Sequence, residues 1–217
     1  KGIVRNNFTY VAVISACGQG KMWQQALHLL LEMTDSFVEK TTVTYNAVAT
    51  TCAKGGEWWP TLQLLREMAN SSVKCDTITY TAMISACKEG ESWQQAVQLF
   101  REMAHKGIVR NNFTYVAVIS ACGQGKMWQQ ALHLLLEMTD SFVEKTTVTY
   151  NAVATTCAKG GEWWPTLQLL REMANSSVKC DTITYTAMIS ACKEGESWQQ
   201  AVQLFREMAH KGIVRNN

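Results

Sequence analysis

A strict 35-residue period governs this chain: Tyr10, Cys17, Gly20, Trp23 and Met33 return as Tyr45, Cys52, Gly55, Trp58 and Met68, and again as Tyr80, Cys87, Gly90, Trp93 and Met103. A period of this size marks a solenoid, whose units bury their apolar faces only against their neighbours. A second period overlies the first, because residues 1–112 recur without a change as residues 106–217, a shift of 105 residues or three units. The units are 7–41, 42–76, 77–111, 112–146, 147–181 and 182–216, with 1–6 as the tail of a preceding unit and Asn217 as the start of a following one. One continuous solenoid over 1–217 is expected. Identity this complete admits a designed array, a very recent duplication, or a stretch standing for part of a longer array.

Within a unit, Tyr45, Val48, Ala49 and Cys52 fall at i, i+3, i+4 and i+7, the stripe of an α-helix rather than the alternation of a strand. Thr42, Thr77 and Asn7 are suited to cap the start of this helix, since their side chains accept from free backbone N–H groups. Gly20, Gly55 and Gly90 stand at its end, where positive φ is common. A second helix follows, with Trp58, Thr61, Leu62, Leu65 and Met68 at helical spacing and Pro60 in its first turn, where a missing N–H costs nothing. One such helix–turn–helix cannot offset the entropy of ordering it, whereas stacked units share a core. The fold class is all-α: an α-solenoid.

Composition narrows the function. No apolar run approaches the roughly 20 residues that span a bilayer, so no membrane partner is expected. Of the eight cysteines, six occupy one apolar helix position and two, Cys75 and Cys180, sit in loops. The six read as stacked buried thiols, and with no metal-ligand spacing among the eight a reducing compartment is expected rather than a disulfide or metal framework. The net charge of +2, from 20 basic and 18 acidic residues, supports a polyanionic partner only weakly. All eight tryptophans fall on second helices, where packing explains them, and His28 and His105 are isolated surface residues. Gly18-Gln19-Gly20-Lys21 lacks the spacing of a phosphate loop. Asn70-Ser71-Ser72 and Asn7-Phe8-Thr9 are chance glycosylation sequons. No nucleophile–base pair or carboxylate dyad stands out, so no enzyme activity, cofactor, metal or small-molecule substrate is expected.

The strings VTYNAVATTCAKGG…WWPTLQLLREM…VKCD and ITYTAMISACKEGESWQQAVQLFREMAHKGIVRN resemble pentatricopeptide repeats of the plain 35-residue type, and the resemblance covers every unit. It implies a right-handed superhelix that binds single-stranded RNA, one base per unit. In the family the fifth and last residues of a unit read the base, and the apolar second residue flanks it. The resemblance thus implies uracil readers in Asn46 with Asp76 and in Asn151 with Asp181. It implies adenine readers in Thr81 with Asn111 and in Thr186 with Asn216. Val11 with Thr41 and Val116 with Thr146 should be silent, because valine neither donates nor accepts. The flanking residues would be Phe8, Val43, Ile78, Phe113, Val148 and Ile183. With the family's polarity the site has the form N-U-A-N-U-A. Lys54 and Lys159 match the family's phosphate lysine, while Gln19 and Glu89 depart from it. The resemblance further implies an organellar setting in RNA processing, stability or translation. The rival expectation is a scaffold that contacts protein subunits of a larger assembly, which the near-neutral charge, Glu89 and the silent units favour.

Overall fold

The computed structural model describes residues 5–213, in which twelve α-helices and no strand occur. The chain forms two compact units, Lys1–Arg110 and Asn111–Asn217. The first holds α1 (Asn7–Gln19), α2 (Trp23–Asp35), α3 (Thr42–Gly55), α4 (Trp58–Asn70), α5 (Thr77–Glu89) and α6 (Trp93–His105). Here α1 packs on α3 and α3 on α5, while α2 lies against α1 and α3, α4 against α3 and α5, and α6 against α5. The second unit holds α7 (Asn112–Gln124), α8 (Trp128–Asp140), α9 (Thr147–Lys159), α10 (Trp164–Asn175), α11 (Thr182–Glu194) and α12 (Trp198–His210). Its first helices α7, α9 and α11 form the corresponding row, with α8 and α10 each against two of them and α12 against α11. Each unit is an all-α helical-repeat solenoid.

The predicted stripe forms the core. Tyr45, Val48, Ala49, Cys52, Tyr80, Met83, Ile84 and Cys87 are fully buried. On the second helices the buried register includes Leu64 and Leu99, whereas Leu62 and Leu65 are only half-buried. All eight cysteines are free thiols, and burial pushes those of Cys52, Cys87 and Cys157 up to about 12. His28 and His105 are exposed.

Each buried phenol donates to a glutamate on the second helix of its own repeat, as a desolvated hydroxyl requires. Tyr10, Tyr45 and Tyr80 reach Glu32, Glu67 and Glu102 at 3.0, 2.9 and 2.7 Å. Tyr115, Tyr150 and Tyr185 reach Glu137, Glu172 and Glu207 at 3.3, 2.9 and 2.9 Å. A cation then neutralises the acid. Lys40 pairs with Glu67 and Lys145 with Glu172 at 2.5 and 2.6 Å, each lysine coming from the preceding repeat, and Arg5 pairs with Glu32 in the same way. Cys75 takes that lysine's place before the third repeat, and there Lys106, one turn beyond Glu102, supplies the charge at 2.7 Å.

Two sequence expectations need correction. The helix caps lie one residue earlier than Asn7, Thr42 and Thr77: Asn6, Thr41, Asp76, Asn111, Thr146 and Asp181 hold the extended cap conformation. Thr42, Thr77 and Thr147 are already helical. Their hydroxyls donate forward to the carbonyls of Lys74, Val109 and Lys179 at 2.9, 2.7 and 2.9 Å. The second correction concerns the glycines, since Gly20 and Gly90 have φ of −86° and −88° and need no left-handed backbone. Space is the reason for glycine at Gly55 and Gly90. A Cβ there would stand 2.7 Å from Cδ1 of Trp23 and 2.3 Å from Cδ1 of Trp58. The second unit repeats this with Gly160 under Trp128 and Gly195 under Trp163.

Gly90→Ala is therefore expected to destabilise the fold by about 1–3 kcal/mol, the usual cost of overpacking. Gly20→Ala, whose Cβ would find Met22 Cγ at an ordinary 3.4 Å, should change the thermal midpoint far less. Equal losses in a melting comparison would discard the steric account.

Candidate nucleic-acid interface

The second residue of each repeat falls in the first turn of a first helix and points away from the core. Phe8, Val43 and Ile78 are 85%, 61% and 60% exposed, and Phe113, Val148 and Ile183 are 75%, 59% and 60% exposed. Two residues further on, the tyrosines are buried. An apolar row thus stays in water at 35-residue intervals while the adjacent stripe makes the core.

Beside this row the structure brings together the predicted pair Asn46 and Asp76. Asn46 Nδ2 donates to both carboxylate oxygens of Asp76, at 3.1 and 3.3 Å. Its Oδ1 accepts from the Thr79 hydroxyl at 2.5 Å. Asp76 caps α5 by accepting from Thr79 N at 2.8 Å, while its own N–H donates to Thr79 Oγ1 at 3.1 Å. Burial acts to raise the Asp76 carboxyl, but the Thr79 N–H and hydroxyl, the Asn46 amide and the Ile78 N–H together hold it below the usual carboxylate range. The second unit repeats the triad. Asn151 donates to Asp181 at 3.1 and 3.2 Å and accepts from Thr184 at 2.6 Å, and the Asp181 carboxyl is lowered for the same reasons. Only 9% of Asn46 and 8% of Asn151 remain exposed.

The other predicted residues are arranged differently. Thr81 is half-buried on α5 in the first unit, whereas Asn111 belongs to the second and caps α7 through Thr114 N at 3.0 Å. Thr186 is exposed on α11, and Asn216 lies outside the described residues. Val11 and Val116 are half-buried, and Thr41 and Thr146 cap α3 and α9 through Thr44 and Thr149. In the first repeat an amide one turn earlier takes up the bonding role that Val11 cannot fill. Asn7 Nδ2 donates to Thr41 Oγ1 at 3.1 Å, and Asn7 Oδ1 accepts from Thr44 at 2.8 Å. Asn7, Thr79 and Thr184 are site neighbours that sequence reasoning passed over. The available signal was a threonine in the third place of all six repeats, buried in every one but the first, where Thr9 is exposed.

A cleft of about 690 Å³ in the second unit gathers Ile183, Thr186 and Lys159 with Gln124, Thr155 and Glu194. Lys159 Nζ donates to Gln124 Oε1 at 2.9 Å, and Lys54 is likewise exposed at the end of α3. The acids at this place in neighbouring repeats are partly neutralised, Glu89 by Lys88 at 2.8 Å and Glu194 by Lys193 at 3.2 Å. Among the described residues no cluster of His, Cys, Asp or Glu could hold a metal ion, and no helix is long and apolar enough to cross a membrane.

Capped first helices with an exposed apolar residue in each first turn, stacked within each unit, define a helical-repeat solenoid protein. The chain belongs to the pentatricopeptide repeat family: it matches the pentatricopeptide repeat domain over 63–125 and 98–160, the PPR repeat family over 145–194, and the PPR repeat over 8–36, 43–73 and 183–213. Among solved structures it is similar to the pentatricopeptide repeat protein PPR10 from maize, at 29% identity and TM-score 0.79, over 98% of this chain and 30% of that one. PPR10 in complex with an 18-nt psaJ RNA element is similar at 28% identity and TM-score 0.70, over 99% and 30% of the two chains. The PPR domain of Arabidopsis thaliana protein-only RNase P 1 in complex with tRNA shares the fold, at 13% identity and TM-score 0.66 over 78% and 89%. The chain spans about 30% of the length of PPR10. No protein of curated function matches it.

Both aspartates carry depressed carboxyls, so their contribution to stability is present above the unfolded value near 3.8 and is lost as pH falls through the folded one. Asp76→Ala with Asp181→Ala should therefore cost about 1 kcal/mol per cap near neutral pH. The difference from the parent should shrink in acid, once pH has fallen below the folded value. A destabilisation that is the same at neutral and acid pH in thermal melts would rule this out.

Proposed function

We propose that this chain is a single-stranded RNA-binding module that takes one base per repeat, at a site of the form N-U-A-N-U-A. One observation carries the reading: the exposed apolar row at 35-residue intervals, set beside reader pairs at Asn46–Asp76 and Asn151–Asp181. Unstacked bases offer a π-face to such residues and a Watson–Crick edge to such amides. Thr81 with Asn111 and Thr186 with Asn216 would read adenine, and Val11 and Val116 would leave their bases unread. Lys54 and Lys159 would meet phosphates. The PPR10–RNA complex supports the reading by likeness along 99% of this chain. An organellar role in RNA processing, stability or translation is part of the same proposal.

A scaffold reading is favoured by a different observation. Phe37 and Phe142 are 97% and 98% exposed at the left-handed turn that ends the second helix, where the other described repeats carry serine or glycine. A surface aromatic held this way suits contact with a protein partner.

Fluorescence anisotropy with an N-U-A-N-U-A strand separates the two, since absence of binding to any single strand would leave the scaffold standing. Asn46→Thr with Asn151→Thr should move preference at the second and fifth bases from uracil towards guanine. An unchanged preference would refute the base assignment. Each phosphate contact on a single strand contributes about −0.7 to the slope of log affinity against log salt. Lys54→Ala with Lys159→Ala should accordingly flatten that slope by about 1.4, and Glu89→Lys with Glu194→Lys should steepen it. A slope insensitive to all four positions would place the backbone elsewhere.

A further inference from the structure

The reader amides are held from two sides, and one of those sides belongs to the next repeat. Asp76 is a carboxylate and can only accept, so the Asn46 amide must turn its NH₂ towards it. Thr79 stands at the other end, 2.5 Å from Oδ1, with its side chain fully buried on α5. Its hydroxyl has one proton and two acceptors in reach, Asn46 Oδ1 and, at 2.9 Å, Asp76 Oδ1. The backbone N–H of Thr79 already serves that carboxylate oxygen, which leaves the amide oxygen as the shorter and needier acceptor. Asn151, Asp181 and Thr184 have the same polarity at nearly the same distances.

The repeats that end in threonine show what happens when this constraint is missing. Thr41 and Thr146 end those repeats, and a hydroxyl both donates and accepts. Asn7 offers its oxygen to Thr44 at 2.8 Å, whereas its copy Asn112 offers its nitrogen to Thr149 at 2.8 Å. The same sequence presents opposite ends of the amide. Asn112 Nδ2 also donates to the Glu144 carbonyl at 2.8 Å, so without an aspartate the amide's polarity follows whichever other acceptor is in reach.

Polarity matters for one discrimination above all. On its Watson–Crick edge uracil places an N3–H donor beside the O4 acceptor, while cytosine places an N3 acceptor beside the N4–H donor. For a base held in one place, exchanging the two requires the reading amide to turn over. The locked Asn46 holds its NH₂ on the Asp76 side and its Oδ1 on the Thr79 side, the polarity that matches the O4 acceptor and N3–H donor of uracil.

We infer that Thr79 and Thr184 are positioning residues that hold the reader amides of the preceding repeats in the orientation selecting uracil over cytosine; the inference rests on the RNA reading above. Each specificity element is thus a triad spanning two repeats, Asn46–Asp76–Thr79 and Asn151–Asp181–Thr184.

The test uses the full chain and strands carrying uracil or cytosine at the second or the fifth nucleotide, read by fluorescence anisotropy, with helical circular dichroism reporting the fold. Thr79→Val keeps the shape of the side chain and removes the hydroxyl. It should reduce the uracil-to-cytosine affinity ratio at the second nucleotide by about threefold or more, the worth of one modest hydrogen bond, and leave the fifth nucleotide unchanged. Thr184→Val should do the reverse, and Thr79→Ser should restore the parental ratio. The two sites are separate, so if one valine variant loses its helical signal the other still decides. A helical variant whose ratio is unchanged, or whose affinity falls equally for both bases, overturns the positioning role. A parent chain that binds neither strand overturns the RNA reading and this inference with it.

Discussion

The junction between repeats is the constraint from which most of the structure follows. A first helix begins with backbone N–H groups that have no partner inside the helix. The last residue of the preceding repeat satisfies them: Asn6 for α1, Asp76 for α5, Asn111 for α7 and Asp181 for α11, each accepting from the backbone three residues on. The residue that ends one repeat therefore starts the next. Because the capping acid also accepts from Asn46 or Asn151, the bond that sets where a helix begins also aims the side chain proposed to read a base.

Within each repeat the two helices are tied by a second polar device. A tyrosine buried in the shared core carries its hydroxyl to a glutamate on the paired helix, and burial with that acid nearby pushes the Tyr45 and Tyr150 phenols up to about 12. The acid is tolerable because a cation attends it at Glu32, Glu67, Glu102, Glu172 and Glu207, although the source differs. Lys40 and Lys145 reach across from the repeat before, whereas Lys106 and Lys211 come from the same helix as Glu102 and Glu207. Half-buried Cys75, in contact with Met68 Sδ at 3.7 Å, occupies the place the cross-repeat lysine vacates. The requirement is for charge balance at the glutamate, and two geometries meet it.

Much of the helical framework was legible because amphipathic spacing is a local property. Tyr45, Val48, Ala49 and Cys52 announce one face, and that face is fully buried. Cap positions were misjudged by one residue, since threonine is equally at home as a cap and in a first turn, and only the path of the chain says which it is. The glycines were noticed for the wrong reason. Local sequence suggested positive φ at Gly90, while the cause is the indole of Trp58, thirty-two residues earlier in the chain and adjacent only after the repeats stack. Leu64 was missed in favour of Leu65 because both lie near the edge of the apolar arc, and packing against the first helices selects one.

By itself the sequence determined the period, the helix pair, the buried tyrosine and cysteine stripes, and the family to which the repeats belong. These depend on spacing along a helix, which is local. Only the tertiary structure decided which polar groups meet. Asn46 finds Asp76 and Thr79 thirty and thirty-three residues away, and Asn7 takes up a bonding role that Val11 cannot fill. Such pairings depend on how one repeat is laid against the next. The physical reason is that a buried donor or acceptor must find a partner somewhere, and stacking alone determines which partner lies within 3 Å or so.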